Sequence, residues 1–193
     1  MTPRDHATDG PGVLVVVASR TDADVLSPLG RGRHTGRPHT ALIATGPDPM
    51  QVDLALDELG SPAERILLLD VPASAGPALQ LAVLLPRLDD LLADARPRGV
   101  VVRGGTTTAL AAAQCAVWRG VPVVHVPVAD AVGIVAANQA AVVELVAWQG
   151  SPSGGVPHPA ELALHVHRSL APADGHLVAV GPGPSTARHG LSA

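Results

Sequence analysis

The chain contains no lysine, no phenylalanine and no tyrosine, and it has a single cysteine. Without lysine there can be no Schiff-base amine, no P-loop lysine and no lysine general base. All 13 basic residues are arginine, and the net charge of −4 argues against a broad nucleic-acid-binding surface. One cysteine, Cys115, cannot form a disulfide within the chain, which suits a reducing cytoplasm. It reads as a small buried hydrophobe rather than a reactive thiol. Aromatic residues are only 1% of the chain, so burial must come from valine, leucine and alanine. No apolar run approaches the length of a membrane span. The polar stretch Met1–Gly12 has no apolar signal region. The joint absence of Lys, Phe and Tyr points to a GC-rich genome rather than to a function.

What is present suffices for one sizeable domain: 193 residues, of which 47% are hydrophobic. Strand-like runs at Val13–Ala18, Thr40–Ala44, Arg65–Leu69, Gly99–Arg103 and Val121–Val126 alternate with helical stretches at Pro49–Leu59, Ala75–Ala95 and Thr106–Arg119. Further strands are expected at Val142–Trp148 and His176–Val180, and a further helix at Ala160–Leu170. Alternation of this kind predicts βαβ units: an α/β, single Rossmann-like domain, its sheet mostly parallel, with helices on both faces. Residues 1–12 are expected to be a flexible N-terminus, 13–180 the domain and 181–193 a flexible tail. Linker-like composition marks Leu29–Pro38 and Gly150–Pro159 as well. No internal repeat is found.

The segment Val100-Val101-Val102-Arg103-Gly104-Gly105-Thr106-Thr107-Thr108 is the most informative. A β-branched run ends in two glycines, which permit a sharp turn and close approach of a ligand. Threonines then open an alanine-rich helix, where they can cap orphan amides that also attract anions. This unit resembles the V-x-G-D-T-T-T segment of the non-hydrolysing UDP-N-acetylglucosamine 2-epimerases. The similarity covers roughly residues 13 to 150. Ser19-Arg20-Thr21-Asp22-Ala23 is similar to the family's T-R-P-E-A loop at the active-site cleft, although the lysine that normally follows has no counterpart. Thr45-Gly46 matches the start of T-G-Q-H, with Pro47 and Asp48 in place of Gln and His. Val121-Pro122-Val123-Val124-His125-Val126 matches I-P-V-x-H-V, and then Pro127-Val128-Ala129 replaces E-A-G. Ala136-Ala137-Asn138-Gln139 matches E-E-A-N-R only at its Ala-Asn pair.

The resemblance implies half of a GT-B-type two-domain fold, the N-terminal domain. It also implies what has been lost. The family removes the proton at sugar C2, eliminates UDP and returns it to the other face, which needs placed acids and bases. The family's carboxylates fall at Gly105, Pro127 and Ala136, none of which can exchange a proton. The second domain, which mainly holds UDP, is not apparent in the chain. No catalytic residue and no cofactor is therefore assigned.

Several residues carry two readings. Arg20 could pair with a phosphate or sugar, or be a solvated loop arginine. Gly104, Gly105, Thr106 and Thr107 could touch a ligand, or simply build the turn and cap the helix. His125 ends a strand where ligands gather in open sheets, or is structural. His165 and His167, two apart on an expected helix, do not face each other, so no metal site is expected. Asp89, Asp90 and Asp94 read as a solvated acidic face, and residues 31–37 as a surface loop rather than an anion site. Ser153 and Ser185 lie in Gly/Pro loops without a nucleophile-elbow pattern.

The expectation is a degenerate epimerase-like domain without epimerase activity of its own. It would act as a binding, regulatory or scaffolding partner in a sugar or specialised-metabolite pathway. The alternative is one half of a two-chain UDP-sugar epimerase or glycosyltransferase. Expected partners are another protein or a second copy, and weakly a UDP-sugar, with no nucleic acid and no membrane. The interface is expected near Val128 and Ile134, among the apolar residues that replace polar family positions.

Overall fold

The computed structural model describes residues 12–31, 39–72, 74–145 and 148–149. The expected strand and helix at 176–180 and 160–170, the two termini, the 150–159 linker, the His165/His167 pair and the two loop serines lie outside them. The elements in chain order are β1 (Val13–Val17), α1 (Arg20–Gly30), β2 (Thr40–Ala44), α2 (Pro49–Glu58), β3 (Arg65–Ile66), α3 (Pro77–Ala95), β4 (Gly99–Arg103), α4 (Thr107–Trp118), β5 (Val123–Val126), α5 (Gly133–Leu145) and β6 (Trp148–Gln149). The strands form one sheet in the order β3-β2-β1-β4-β5-β6, every pairing parallel. The order reverses beside β1, the mark of a doubly wound Rossmann-like fold.

Two-sided burial explains why the central strands read as unbroken apolar runs. Along β1, Val13, Val15 and Val17 face one layer and Leu14 and Val16 the other. The first layer holds α1 and α2, through Ala23, Leu26, Leu29, Val52, Ala55 and Leu56. The second holds α3, α4 and α5, through Leu84, Leu88, Leu92, Ala112, Ala116 and Val142. Each fully buried Val or Leu contributes about 1.5–3 kcal/mol. With no Phe or Tyr, the second layer closes by approach instead of bulk: the buried alanines of α4 bring it close to α3 and the sheet. Cys115 belongs to that layer, its thiol donating to the Leu85 carbonyl at 3.3 Å. Burial pushes that thiol up to about 11, so it stays protonated.

Local signals start the helices. Ser19, Asp48 and Thr106 are N-caps, each accepting the amide three residues on. Proline stands at the first turn of α2 and α3. Four expectations are corrected. The Val142–Trp148 strand does not form: Val142 to Leu145 are the last turn of α5, and only Trp148–Gln149 pair with β5. The helix arriving from Ala-rich sequence carries through Val142, which gains burial by staying helical. The third strand is two exposed edge residues rather than five, and the fifth begins at Val123. Ser19–Ala23, expected as a loop, and the first residues of the expected 29–38 linker belong to a helix, with Ser19 as its N-cap and Arg20–Gly30 as its turns. Among the described residues no helix is long and apolar enough to cross a membrane.

Candidate functional site

In open α/β sheets, ligands bind outside the carboxyl ends of the strands where the strand order reverses. Here that crevice lies between the β1–α1 turn and the β4–α4 turn.

On the β1 side, Asp22 is 3% exposed. One carboxylate oxygen accepts from the Arg103 guanidinium at 2.9 Å and the other from the Ala18 amide at 3.3 Å. The Arg103 side chain, at the end of β4, is 15% exposed. The pair ties the two walls together. Arg20 points elsewhere: its guanidinium bonds Glu58 of α2 at 2.8 Å, and both side chains are largely exposed. Gly46, in the turn after β2, has φ +99°, and a β-carbon there would run into the Ala18 carbonyl oxygen. The match at Thr45-Gly46 therefore has a packing cause. The Thr45 hydroxyl is buried with no partner among the described residues, and Asp48 is spent as the cap of α2.

On the β4 side, Gly104 takes φ +64°, a left-handed turn that favours glycine. His125 is fully buried beneath it, its Nε2 3.0 Å from the Gly104 carbonyl. A carbonyl only accepts, so Nε2 carries the proton and Nδ1 is left as an acceptor with no partner among the described residues. Burial holds the His125 pKa below its ordinary value, with the Gly104 contact opposing. His125 thus pins the turn from inside the sheet and offers nothing to the crevice. Thr106 caps α4, accepting from the Ala109 amide at 3.0 Å, and Thr108 is buried.

The decisive geometry is at Gly105. A β-carbon there would collide with the Val135 carbonyl oxygen and the Gln139 amide nitrogen, and would lie 2.9 Å from the Gln139 Cα. These are the i and i+4 groups of one turn of α5. Helix backbone fills the space that any side chain at position 105 would need. Val128 closes the turn from the other side: its Cγ2 is 3.0 Å from where a Gly104 β-carbon would stand. Its backbone amide and carbonyl are both taken by the Gln139 side chain, at 2.8 and 3.0 Å.

Comparison with known proteins fits this architecture. Residues 33–128 match the family model described as UDP-N-acetylglucosamine 2-epimerase. Over this segment the chain resembles that family. No curated protein matches the chain by sequence. Among solved structures, UDP-GlcNAc 2-epimerase from Neisseria meningitidis bound to UDP-GlcNAc superposes with TM-score 0.66 at 24% identity, over 72% of this chain and 39% of that one. The enzyme from Methanocaldococcus jannaschii gives 0.63 at 21%, over 81% and 42%. That from Rickettsia bellii gives 0.60 at 17%, over 72% and 38%. The epimerase-like domain is one Rossmann-like half of a GT-B-type fold, and it spans about 40% of the length of those structures.

Of the residues singled out by sequence, Gly104, Gly105, Thr106 and Thr107 come together at the β4–α4 turn with His125 behind them, and Arg20 stands apart, at the start of α1 and turned toward Glu58 of α2. Val128 is half-buried in the turn, whereas Ile134 is 59% exposed and neighbouring Val132 is 78% exposed. Asp89 is not simply solvated: it takes Arg119 through two bonds of 2.6 and 2.7 Å, which holds its carboxyl below the ordinary range. Arg31 spends its guanidinium on the Leu59 carbonyl and Ser61. Among the described residues no group of three or more His, Cys, Asp or Glu could hold a metal ion. Three site residues escaped the sequence reading: Asp22, Arg103 and Gln139. A charged residue closing a buried valine strand demands a buried partner, which was the available signal for the first two. Gln139 gave none.

Proposed function

We propose that this domain keeps the epimerase fold as a binding module and performs no epimerisation with its own residues. The observation that carries this reading is the seat of α5 on Gly105. The resemblance places carboxylates at Gly105, Pro127 and Ala136, and each general acid or base contributes typically ~10² to 10⁴ in rate. At Gly105 the loss goes beyond the charge, because a side chain of any kind displaces a helix. The module then serves as a regulatory or scaffolding partner in a sugar or specialised-metabolite pathway, in the cytoplasm. Exposed Val132 and Ile134, at the start of α5, support a protein contact there, with a second copy or another chain. A UDP-sugar binds weakly at most: Arg20 would have to leave Glu58 to reach it, and the Gly104 amide is already given to the Val126 carbonyl.

Three measurements test this. The purified chain, incubated with UDP-N-acetylglucosamine, is expected to yield no UDP-N-acetylmannosamine. Turnover that Arg20→Ala abolishes overturns the reading. Calorimetric titration of UDP-N-acetylglucosamine is expected to give a Kd weaker than roughly 1 μM, about −8 kcal/mol. Light scattering is expected to report an assembly larger than a monomer, alone or with a partner. Ile134→Asp breaks it without touching the turn, which makes it a cleaner probe than Val128→Asp.

A further inference from the structure

We infer that Gln139 is a latch that holds α5 as a plug on the β4–α4 turn, a conformational device built into the fold. The inference rests on the reading of the crevice as chemically disarmed and gives it a physical cause.

One residue does two things at once. The Gln139 side-chain amide accepts from the Val128 amide at 2.8 Å and donates to the Val128 carbonyl at 3.0 Å. Val128 lies past the end of β5 at Val126, where its peptide groups have no strand partner in the sheet. Buried or half-buried peptide groups need partners, and the glutamine supplies both, as a neighbouring strand would. The backbone of the same Gln139, with the Val135 carbonyl one turn earlier, lies against Gly105. The side chain therefore fixes the β5–α5 loop while the backbone of that residue closes the β4–α4 turn. Val128, held in place by the latch, packs on Gly104 from above, and His125 holds the Gly104 carbonyl from below. The turn is enclosed on both sides by the domain's own atoms. Along α5 only Val142 is fully buried, and Ile134 at its start is exposed. The helix has little apolar anchorage near the plug, so two hydrogen bonds count for much of its seating.

The test is amide hydrogen exchange on the full chain, with Gln139→Met and Gln139→Glu beside wild type. Methionine keeps the length and loses both bonds. Exchange in residues 133–142 and 104–108 is expected to rise at least about tenfold, with β1 and β2 at wild-type protection. A glutamate is the sharper probe. Protonated, it offers one donor and one acceptor, as the amide does; ionised, it only accepts. Gln139→Glu is therefore expected to match wild-type protection at the same pH below about pH 4.3, and to lose it at neutral pH. Three results each overturn the latch: exchange in both segments within twofold of wild type in Gln139→Met, a loss spread equally over β1 and β2, or a Gln139→Glu to wild-type ratio indifferent to pH. Each leaves the turnover assay untouched. Turnover by wild type, conversely, defeats the disarmed reading and leaves the latch standing.

Discussion

At the β1–α1 turn the crevice wall is ionic: a buried carboxylate and a nearly buried guanidinium, 2.9 Å apart, join α1 to β4. At the β4–α4 turn, two residues further along the same strand exit, the wall is a glycine against helix backbone with no ionisable group pointing outward. Both turns border one crevice, yet they are built in opposite ways. The first carries charge turned inward, as structure. The second carries no side chain at Gly105 and makes a close helix contact. Polar residues at a crevice and chemistry at a crevice are thus different things. A carboxylate already held by a guanidinium and a backbone amide has little left to offer a substrate.

The ionic wall should be the more fragile of the two. Asp22→Ala leaves Arg103 buried and unpaired, and is expected to cost about 3–5 kcal/mol in urea unfolding. Asp22→Ala combined with Arg103→Met, which removes both charges, is expected to cost less than the single change. If the single change costs under about 1 kcal/mol, the pair does not hold the walls together.

A smaller effect is expected from acid at His125. Its folded pKa lies below the unfolded value of 6.5, so the unfolded chain takes up the proton first. Stability is full above that value and falls as pH drops through the window beneath it. His125→Gln, which can still donate to the Gly104 carbonyl, should flatten this part of the stability profile. An unchanged acid limb in that variant places the titration elsewhere.

The smallest effect belongs to the exposed counterpart of the buried pair. Arg20→Ala breaks the contact with Glu58 and is expected to cost at most about 1 kcal/mol, less in high salt. A loss as large as that of Asp22→Ala would erase the distinction between exposed and buried charge on which the comparison stands.

Much of this architecture was legible in the sequence. The strands β1, β2 and β4 are apolar runs bounded by Gly, Pro or polar residues, and buried on both faces they have no alternation to obscure them. The glycine turn and the Thr106 cap were equally plain. What escaped notice did so for physical reasons. α5, from Gly133 to Leu145, is apolar almost all round, so it shows no 3.6-residue stripe, and its Val142-Val143 pair imitates a strand. α1 carries an internal Pro28 and ends in glycine, which masked its Ser19-x-x-Asp22 start. At the site, sequence could say that the carboxylate at position 105 was missing, but not that helix backbone stands in its place. That depends on the seating of α5 and on Gln139, a residue whose type and spacing carry no signal. The Asp22–Arg103 pair joins residues 81 apart and follows only from the strand order.

The central claim is that α5 and a side chain at position 105 exclude one another. The most direct measurement is amide exchange across the chain in Gly105→Ala, the smallest change that adds a β-carbon. Protection is expected to fall in residues 133–145 and around 104–108, while β1 and β2 exchange as in wild type. Wild-type protection throughout α5 in a folded Gly105→Ala protein would contradict the account.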